Sequence, residues 1–495
     1  MTLAARLLRS ADRFADKTAA GDARQSVTYG ELLRHAVRLA EHIRDATAQP
    51  RVGILLPPGP AFAEAFFACQ FAQKAVVPLS QILKPVDLHF ALTHSGVDAV
   101  VTTGTLAALL DGWDGRKLYV EKLDLTRASE SPGDCDVGRP EDAAAILYTA
   151  GSETTPKGVV LSHRNLLANV DSLERMARLT PDDVYLGVLP MSHAFALLGT
   201  LVAPVSLGAR VYYVDRFIPS EIGDACLQQK ATLLLAIPTM YNLILRARDL
   251  AWAEHNSLRL CVAGGEVLPR GVAERFEDVF CKPLLNGYGM TETSPVISLN
   301  LPWANKLGSV GRPIPGTEVH VIDDDARNLG RNTEGEIALR GDNIMLGYHN
   351  DPRGTAERYT ADGFFRTGDM GLVDDDGYLF IRGRKKELII ISGENVSPAE
   401  IEAVLLGNPM VADAAVIGMN HETRGEAPVA FVIGRRFHKL TAKDLRQYCR
   451  ERMAAFKVPR QFVISDRLPR NALGKIQKRA LPHFLKELRP DGPPT

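Results

Sequence analysis

The sequence has no long uninterrupted apolar run. Its 495 residues are 45% hydrophobic and 24% charged, whereas a membrane-spanning helix needs about 20 consecutive apolar residues. The amino-terminal stretch carries Arg6 and Arg9, but Asp12 and Asp16 follow at once, and it has no apolar core with a cleavage site of the kind found in secretory signals. We therefore expect no transmembrane insertion and interpret this stretch as the first helix of the fold.

Cysteine and excess charge are also scarce. The six cysteines are scattered without CxxC spacing, which argues against both a zinc site and a dense disulfide framework. This usage fits a reducing cytosol, and we expect a cytoplasmic protein. The formal net charge is -1 at pH 7, so there is no overall electrostatic reason to bind nucleic acid. Chemistry on small molecules is the favoured class of function.

The pattern of apolar segments predicts an α/β fold with several cores, because the chain is too long for one ordinary core. From about residue 50 to 290, short apolar strands alternate with amphipathic helices, which is typical of mainly parallel sheets. The strands predicted here cover 52–56, 76–79, 143–148, 184–189, 211–214, 233–237 and 258–263.

The sequence pattern changes twice after this region. Between about 308 and 382, short segments punctuated by Gly, Pro and Asp predict a β-rich subdomain. We therefore predict a large amino-terminal domain over 1–383. A hinge at 384–386 leads to a small α+β domain over 387–495, whose last residues, about 489–495, form a disordered tail. In this domain Ser397 to Glu400 is a predicted capping box, and Thr441 to Asp444 a weaker cap.

The strongest local signal is Thr149-Ala-Gly-Ser-Glu-Thr-Thr-Pro-Lys157-Gly, directly after the predicted strand 143–148. Backbone N–H groups and hydroxyls of such a loop can wrap a polyphosphate, and Lys157 supplies a cation. The spacing is not that of a Walker loop. Taken alone, the segment is equally compatible with a polar surface turn.

Two more loops follow predicted strands: Gly264-Gly265-Glu266, and Asn286-Gly-Tyr-Gly-Met-Thr-Glu-Thr293. Because ligands of open parallel sheets bind at the carboxyl ends of the strands, the three loops can converge on one crevice. Tyr288 can stack on a base, and Glu292 is a hard oxygen ligand suited to Mg²⁺. Each feature singly is also common in purely structural turns.

Five motifs occur in the order of one family. They are the phosphate loop, YGMTET, Phe365-Arg-Thr-Gly-Asp369, Gly383-Arg-Lys-Lys-Glu387 and Pro469-Arg-Asn-Ala-Leu-Gly-Lys-Ile476. From Thr28 to Lys475 the chain resembles the acyl-CoA synthetases of the adenylate-forming superfamily. The resemblance implies an AMP-forming acid–thiol ligase. Such an enzyme converts a carboxylic acid and ATP, with Mg²⁺, to an acyl adenylate and pyrophosphate, and then transfers the acyl group to coenzyme A.

The resemblance also implies residue roles. Asp369 would hold the ribose hydroxyls beside Arg384, while Tyr288 and the Gly264-Gly265 turn would hold adenine. The nucleotide-binding residues it implies are Thr149, Gly151, Ser152, Glu153, Thr154, Thr155, Lys157, Gly264, Gly265, Glu266, Asn286, Gly287, Tyr288, Gly289, Met290, Asp369, Ile381 and Arg384. The implied catalytic residues are Lys475, His193, Thr291 and Glu292, with Glu292 also the metal ligand.

Lys475 would bridge the substrate carboxylate and the α-phosphate, where a movable ammonium stabilises the charge that develops. Lys386 would be the hinge that exchanges this face of the small domain for another. The second face would present Ser392, Gly393 and Glu394 to the thiol, with Gly393 leaving room for a pantetheine arm.

The phosphate loop departs from the usual TSGTTGxPKG at Ala150, Glu153 and Thr154. Glu153 adds negative charge beside phosphates, and a Glu there also occurs in an acyl-carrier-protein synthetase branch of the superfamily. An acyl-carrier-protein ligase therefore stays open, with Lys475, Lys478 and Arg479 facing an acidic partner. A non-catalytic nucleotide-binding homologue is the second alternative.

The candidate acid pocket, formed by residues 194–198 and 237–243, is largely apolar. Malonyl-CoA synthetases, which the chain also resembles, place an Arg where Leu243 stands. The His193 loop lacks the Asp with which amino-acid activators hold an ammonium. A fatty or other apolar monocarboxylic acid is favoured, and the length of the acid cannot be inferred from the sequence.

Overall fold

The computed structural model describes residues 1–126, 137–149, 156–247, 250–391, 394–421, 425–435, 440–470 and 476–488. These residues form two compact units. The first comprises the described parts of Met1–Leu268, Val272–Val319 and Leu339–Phe365. The second comprises Pro269–Gly271, His320–Ala338 and the described residues from Arg366 onward. The predicted tail, 489–495, lies outside the described residues.

Strands are numbered in chain order. They are β1 (Thr18–Gly21), β2 (Ser26–Thr28), β3 (Arg51–Ile54), β4 (Ala75–Pro78), β5 (Ala99–Thr102), β6 (Arg116–Tyr119), β7 (Ala143–Thr149), β8 (Lys157–Ser162), β9 (Val184–Gly187), β10 (Arg210–Tyr213), β11 (Leu233–Ala236), β12 (Leu260–Ala263), β13 (Leu285–Gly289), β14 (Val296–Leu299), β15 (Arg312–Pro313), β16 (Thr317–Ile322), β17 (Gly335–Gly341), β18 (Gly347–Tyr348), β19 (Phe365–Val373), β20 (Leu379–Arg384), β21 (Ile389–Ile391), β22 (Glu394–Val396), β23 (Val411–His421), β24 (Gly425–Gly434) and β25 (Gln461–Ile464).

The α-helices are numbered in the same way. They are α1 (Leu3–Phe14), α2 (Tyr29–Ala46), α3 (Pro60–Phe71), α4 (Pro85–Ser95), α5 (His163–Met176), α6 (Ala194–Leu197), α7 (Ala203–Leu207), α8 (Pro219–Gln229), α9 (Pro238–Ile244), α10 (Trp252–His255), α11 (Arg270–Phe280), α12 (Pro352–Ala356), α13 (Pro398–Leu406), α14 (Ala442–Arg450) and α15 (Leu481–Leu488). No helix of the described part is both long and apolar enough to cross a membrane.

Two large sheets organise the first unit. One has the order β15-β14-β13-β12-β11-β9-β10-β1-β2, the other β18-β8-β7-β4-β3-β5-β6. The central strand pairs of both sheets are parallel. In the first sheet these pairs run from β1 through β10, β9, β11 and β12 to β13. In the second sheet they join β7, β4, β3, β5 and β6. Strands β4, β5, β11 and β12 are buried at every position, as expected for parallel strands covered on both faces. The predicted α/β class with mainly parallel sheets is confirmed.

The second unit ends in a compact α+β module. A five-stranded sheet pairs β22, β21, β24 and β23, with β25 parallel to β24, and buried residues of α13 and α14 contribute to its core. Helix α14 begins at the predicted cap, since Thr441 and Asp444 form a reciprocal capping box. Helix α13 begins where predicted, but its capping box is wrong, because the Ser397 hydroxyl donates instead to the carbonyl of Arg382.

Candidate active site

A glycine turn follows β12 at the carboxyl edge of the nine-stranded sheet. Gly265 has a φ of +82°, a left-handed conformation that strongly favours glycine. A Cβ added at Gly264 would lie 3.3 Å from two ring carbons of Phe195, and one added at Gly265 would lie 3.6 Å from the side chain of Ile237. The turn therefore places bare backbone directly against two apolar side chains. Beside it, Thr239 Oγ1 donates to Glu266 Oε2 over 2.9 Å.

The next segment differs from its prediction. Asn286, Gly287, Tyr288 and Gly289 do not form a loop after a strand; they lie within β13, and Tyr288 is paired with Ser298 of the antiparallel strand β14. The close approach needs glycine, because a Cβ at Gly289 would lie 2.0 Å from the carbonyl oxygen of Pro295.

Glu292 is fixed just beyond this strand. After Met290, residues Thr291–Thr293 form a single 3₁₀ turn, and Glu292 is only 7% exposed. Its carbonyl accepts from Met345 N over 2.9 Å, and its carboxylate Oε1 accepts from the hydroxyl of Tyr348 over 2.9 Å. A buried, hydrogen-bonded carboxylate of this kind can serve as a metal ligand with a defined orientation.

The predicted phosphate loop is anchored at both ends. Thr149 and Lys157 are paired where β7 and β8 meet, and Ala150 and the loop residues Gly151, Ser152, Glu153, Thr154 and Thr155 lie outside the described residues. Lys157 Nζ lies 4.7 Å from the ring centroid of Tyr348 and 3.5 Å from Asp351 Oδ2. A lysine cation thus stands at the first residue of β8, and its role toward phosphates stays a prediction.

His193 lies in the same unit. It precedes α6 as its amino-terminal cap residue, and its carbonyl accepts from Leu197 N over 2.8 Å. Burial lowers the pKa of the His193 imidazole, so the neutral form predominates at physiological pH. Phe195, on the first turn of α6, is the residue that contacts Gly264.

The first unit therefore brings several predicted residues together. Main-chain pairing of β18 with β8, and the contacts of Tyr348, join Lys157 to Glu292. Phe195 in turn lies against the Gly264-Gly265 turn.

The second unit holds the predicted ribose-binding pair. Asp369 and Arg384 are opposed in the antiparallel pair β19–β20, and Arg384 Nε lies 2.7 Å from Asp369 Oδ1. Ile381 faces Gly371 in the same ladder. The Asp369 side chain is only 6% exposed, so it is a positioned carboxylate rather than part of a loose polar turn.

Sequence reasoning missed Glu336, which organises the segment that carries Asp369. Glu336 is 4% exposed and accepts from Arg366 over 2.8 Å, Lys385 over 3.0 Å and the backbone N–H of Gly368 over 3.3 Å. Burial alone would raise the pKa of Glu336, but the bonds from Arg366 and Lys385 outweigh it and hold this pKa below its usual value. A glutamate between Gly335 and Ile337 gives no sequence signal of this contact.

The remaining predicted residues of the second unit divide into two groups. Lys386 lies in a 3₁₀ turn, Lys385–Glu387, and Glu394 opens β22 with an exposed side chain. Ser392, Gly393 and Lys475 lie outside the described residues.

Lys478 bears on the carrier-protein alternative. Its ammonium is paired within the second unit, since Nζ lies 3.0 Å from Glu387 Oε2 and 2.9 Å from Glu402 Oε1. The proposed basic docking cluster thus loses one of its three members to an internal ion pair, while Arg479 is exposed.

Comparisons with known proteins cover nearly the whole chain. The profile of the AMP-binding enzyme family matches residues 7–349, and that of the AMP-binding enzyme C-terminal domain matches residues 400–475. A feruloyl-CoA synthase of Amycolatopsis sp is 37% identical over 462 residues, which are 92% of this chain and 93% of that protein. A long-chain-fatty-acid–CoA ligase of Bacillus subtilis strain 168 is 29% identical over 97% of this chain and 94% of its own.

A solved structure has the same fold. The o-succinylbenzoate coenzyme A synthetase (MenE) of Bacillus subtilis, in complex with ATP and a magnesium ion, has a TM-score of 0.87 and 28% identity. The match covers 96% of this chain and 99% of that one.

Proposed function

The chain belongs to the AMP-binding enzyme family and is an acyl-CoA ligase that works through adenylation, and we propose that its acid is a fatty or other apolar monocarboxylic acid. ATP and coenzyme A are the co-substrates. The relatives named above act on acids as different as ferulate and long-chain fatty acids, so the acid must be argued from this chain's own pocket.

One observation carries the proposal: the Phe195 ring lies against Gly264, in the turn that follows β12. An acid activated there would extend along the ring and along Ile237, which faces Gly265. Apolar side chains in these positions favour an apolar acyl group, because each buried methylene contributes about 0.8 kcal/mol.

The charge beside Phe195 and Ile237 argues against a second carboxylate on the acid. The charged group next to the turn is Glu266, an anion held by Thr239. One helical turn further along α9 stands Leu243, which is 45% exposed and supplies no cation. A dicarboxylate would bring its second charge near Glu266 without a described partner in these segments, and unpaired charge is costly to desolvate.

Magnesium fits the donor set of the first unit. The Glu292 carboxylate is a hard oxygen ligand, and its Oε1 atom is oriented by the hydroxyl of Tyr348. Glu292 would hold the ion, which, when bound with ATP, would neutralise charge on the phosphates. Lys157 would add a second cation at the base of the phosphate loop.

Coenzyme A is the acceptor, and we infer that no acyl carrier protein takes its place. The relatives named above form coenzyme A esters, and the Lys478 cation is already paired with Glu387 and Glu402. This leaves fewer basic groups for an acidic carrier protein than the sequence alone indicated.

Acid-dependent ATP–pyrophosphate exchange with octanoate, cinnamate and malonate tests the acid class. We expect octanoate or cinnamate to exceed malonate by about tenfold or more, the effect of at least 1.4 kcal/mol of desolvation. In Phe195→Ala the preference should move toward bulkier acids, while Phe195→Leu, which keeps an apolar wall, should change it less. Malonate exchange equal to that of both monocarboxylates would refute the proposed class.

A further inference from the structure

Tyr348 contacts two groups of opposite charge in the first unit. It lies in β18, where it is paired with Val159 of β8, and is 6% exposed. Its hydroxyl donates to Glu292 Oε1 over 2.9 Å, and the face of its ring lies 4.7 Å from Lys157 Nζ. One side chain therefore touches both the carboxylate proposed for the metal and the cation proposed for the phosphates.

The hydrogen bond between Tyr348 and Glu292 has a defined donor and acceptor. The Tyr348 phenol has one O–H proton to donate, and its bond to Glu292 Oε1 uses that proton. Arg358 Nε donates to the same oxygen over 3.3 Å. Because the phenol oxygen accepts from Arg358, its O–H points toward Glu292, and the direction of this hydrogen bond is fixed. The same hydrogen bond holds the Glu292 side chain in one rotamer.

The ring contributes separately. A lysine ammonium within about 6 Å of an aromatic centroid is attracted to the ring face, so the ring limits where Lys157 can stand. The backbone beneath is also held, because Tyr348 N donates to Thr355 Oγ1 over 2.8 Å. Tyr348 thus contacts both side chains from a backbone position that is itself held in place.

We propose that Tyr348 is a positioning residue for the adenylation step, which sets Glu292 and Lys157 in one geometry for the metal–triphosphate. The hydroxyl orients the carboxylate toward the metal, and the ring orients the ammonium toward the phosphates. The inference rests on the proposed roles of Glu292 and Lys157 and does not depend on which acid is used.

The variant Tyr348→Phe separates the two contacts, since it removes the hydroxyl and keeps the ring. The matched control is Tyr359→Phe, a half-buried tyrosine in the same unit whose hydroxyl lies 3.5 Å from the carbonyl of Met345. Calorimetry would measure binding of a non-hydrolysable ATP analogue over a series of Mg²⁺ concentrations and also in EDTA. The urea midpoint of each variant would report on the fold.

We expect Tyr348→Phe to raise the Mg²⁺ concentration for half-maximal analogue binding about tenfold, the lower end of the loss seen when a metal ligand loses its hydrogen-bond partner. Binding in EDTA should stay within about twofold of wild type. Tyr348→Leu, which also removes the ring, should weaken binding in EDTA as well. A Mg²⁺ requirement in Tyr348→Phe equal to that of wild type and Tyr359→Phe would overturn the proposal.

A double-mutant cycle keeps the test decisive if Tyr348→Phe loses stability. In a Glu292→Gln background, Tyr348→Phe should change the Mg²⁺ requirement little, because both act through one contact. Full additivity of the two changes would also overturn the proposal. Failure of the proposed acid class would appear in the exchange assay alone, and it would leave these binding curves unaffected.

Discussion

At the scale of single residues, Asp183 shows how a buried charge is stabilised. It is 3% exposed and accepts from Thr180 N over 2.8 Å, Thr232 Oγ1 over 2.8 Å and Arg259 Nε over 2.7 Å. Burial alone would raise the pKa of Asp183, but these donors outweigh it and hold the pKa below its usual value. Since Asp183 precedes β9, the network fixes the start of a central strand.

Replacing this charge predicts a loss of stability with a defined pH dependence. Asp183→Asn should lower the free energy of unfolding by about 2 kcal/mol or more at pH 7, because Arg259 loses its charged partner. The folded-state pKa is depressed, so the contribution is present above the unfolded value of about 3.9 and is lost as pH falls through the folded value. Urea midpoints from pH 7 to pH 3 would measure it.

The control is Asp182→Asn, at the exposed neighbouring position, which should move the midpoint little at any pH. The difference in urea midpoint between wild type and Asp183→Asn should become smaller below about pH 4. A difference in urea midpoint that does not change with pH would show that the packing of Asp183, and not its charge, stabilises the fold.

At the scale of elements, Lys478 connects three segments of the second unit. It opens a 3₁₀ turn before α15, and its ammonium binds Glu402 of α13 and Glu387 of the turn next to Lys386. Burial raises the pKa of the Glu402 carboxyl, despite the opposing charge of Lys478. The ion pair therefore ties the helix, the predicted hinge and the segment after Lys475 together.

Lys478→Met should loosen these elements. We expect the free energy of unfolding to fall by about 1–3 kcal/mol, less than for a fully buried pair, because all three side chains keep some exposure. Hydrogen exchange of peptides from α13 and β23 would report it as faster exchange. Arg479→Met, at the exposed adjacent position, is the matched control, and equal exchange in the two variants would contradict the internal role of Lys478.

At the scale of the whole molecule, we expect the two half-reactions to use different residues. Lys475 is proposed for adenylation and Lys386 for the exchange of active faces, and both assignments remain predictions. Lys475 lies outside the described residues, and the domain boundary near 383 also remains a prediction.

Lys475→Ala should reduce acid-dependent pyrophosphate exchange on the order of 10²-fold or more, as expected for one preorganised charge. It should spare acyl transfer from a preformed acyl adenylate. Lys386→Pro should do the reverse, because a fixed φ hinders rotation at the hinge without altering the adenylation groups.

The controls are Lys443→Ala, at an exposed lysine of α14, and Lys386→Ala, which removes the side chain but leaves the backbone free. Both should retain the two half-reactions. Equal loss of both half-reactions in Lys475→Ala, or full thioester formation in Lys386→Pro, would contradict the assignments.

Family and fold could be predicted because their signals are local. Ordered motifs identified the superfamily, and continuous apolar segments such as β11 and β12 identified buried parallel strands. The extent of β13 was wrong, since its glycines become a strand only by pairing with β14 further along the chain. The position of Tyr348 next to Glu292 and Lys157 could not be predicted either. Its two-residue strand pairs with β8 almost 190 residues away and has no sequence pattern of its own.

The Glu336 cluster has a consequence for how this sequence can change in evolution. If Arg366 or Lys385 is lost first, the buried Glu336 carboxylate loses one of its two cations. The cost is smaller than the about 3–5 kcal/mol of a fully buried pair, because Arg366 and Lys385 are 26% and 35% exposed. It is still a sizeable part of the about 5–15 kcal/mol that typically separates folded from unfolded proteins. Lineages should therefore replace Glu336 together with one of its cations, and the three positions should covary in descendants of this chain.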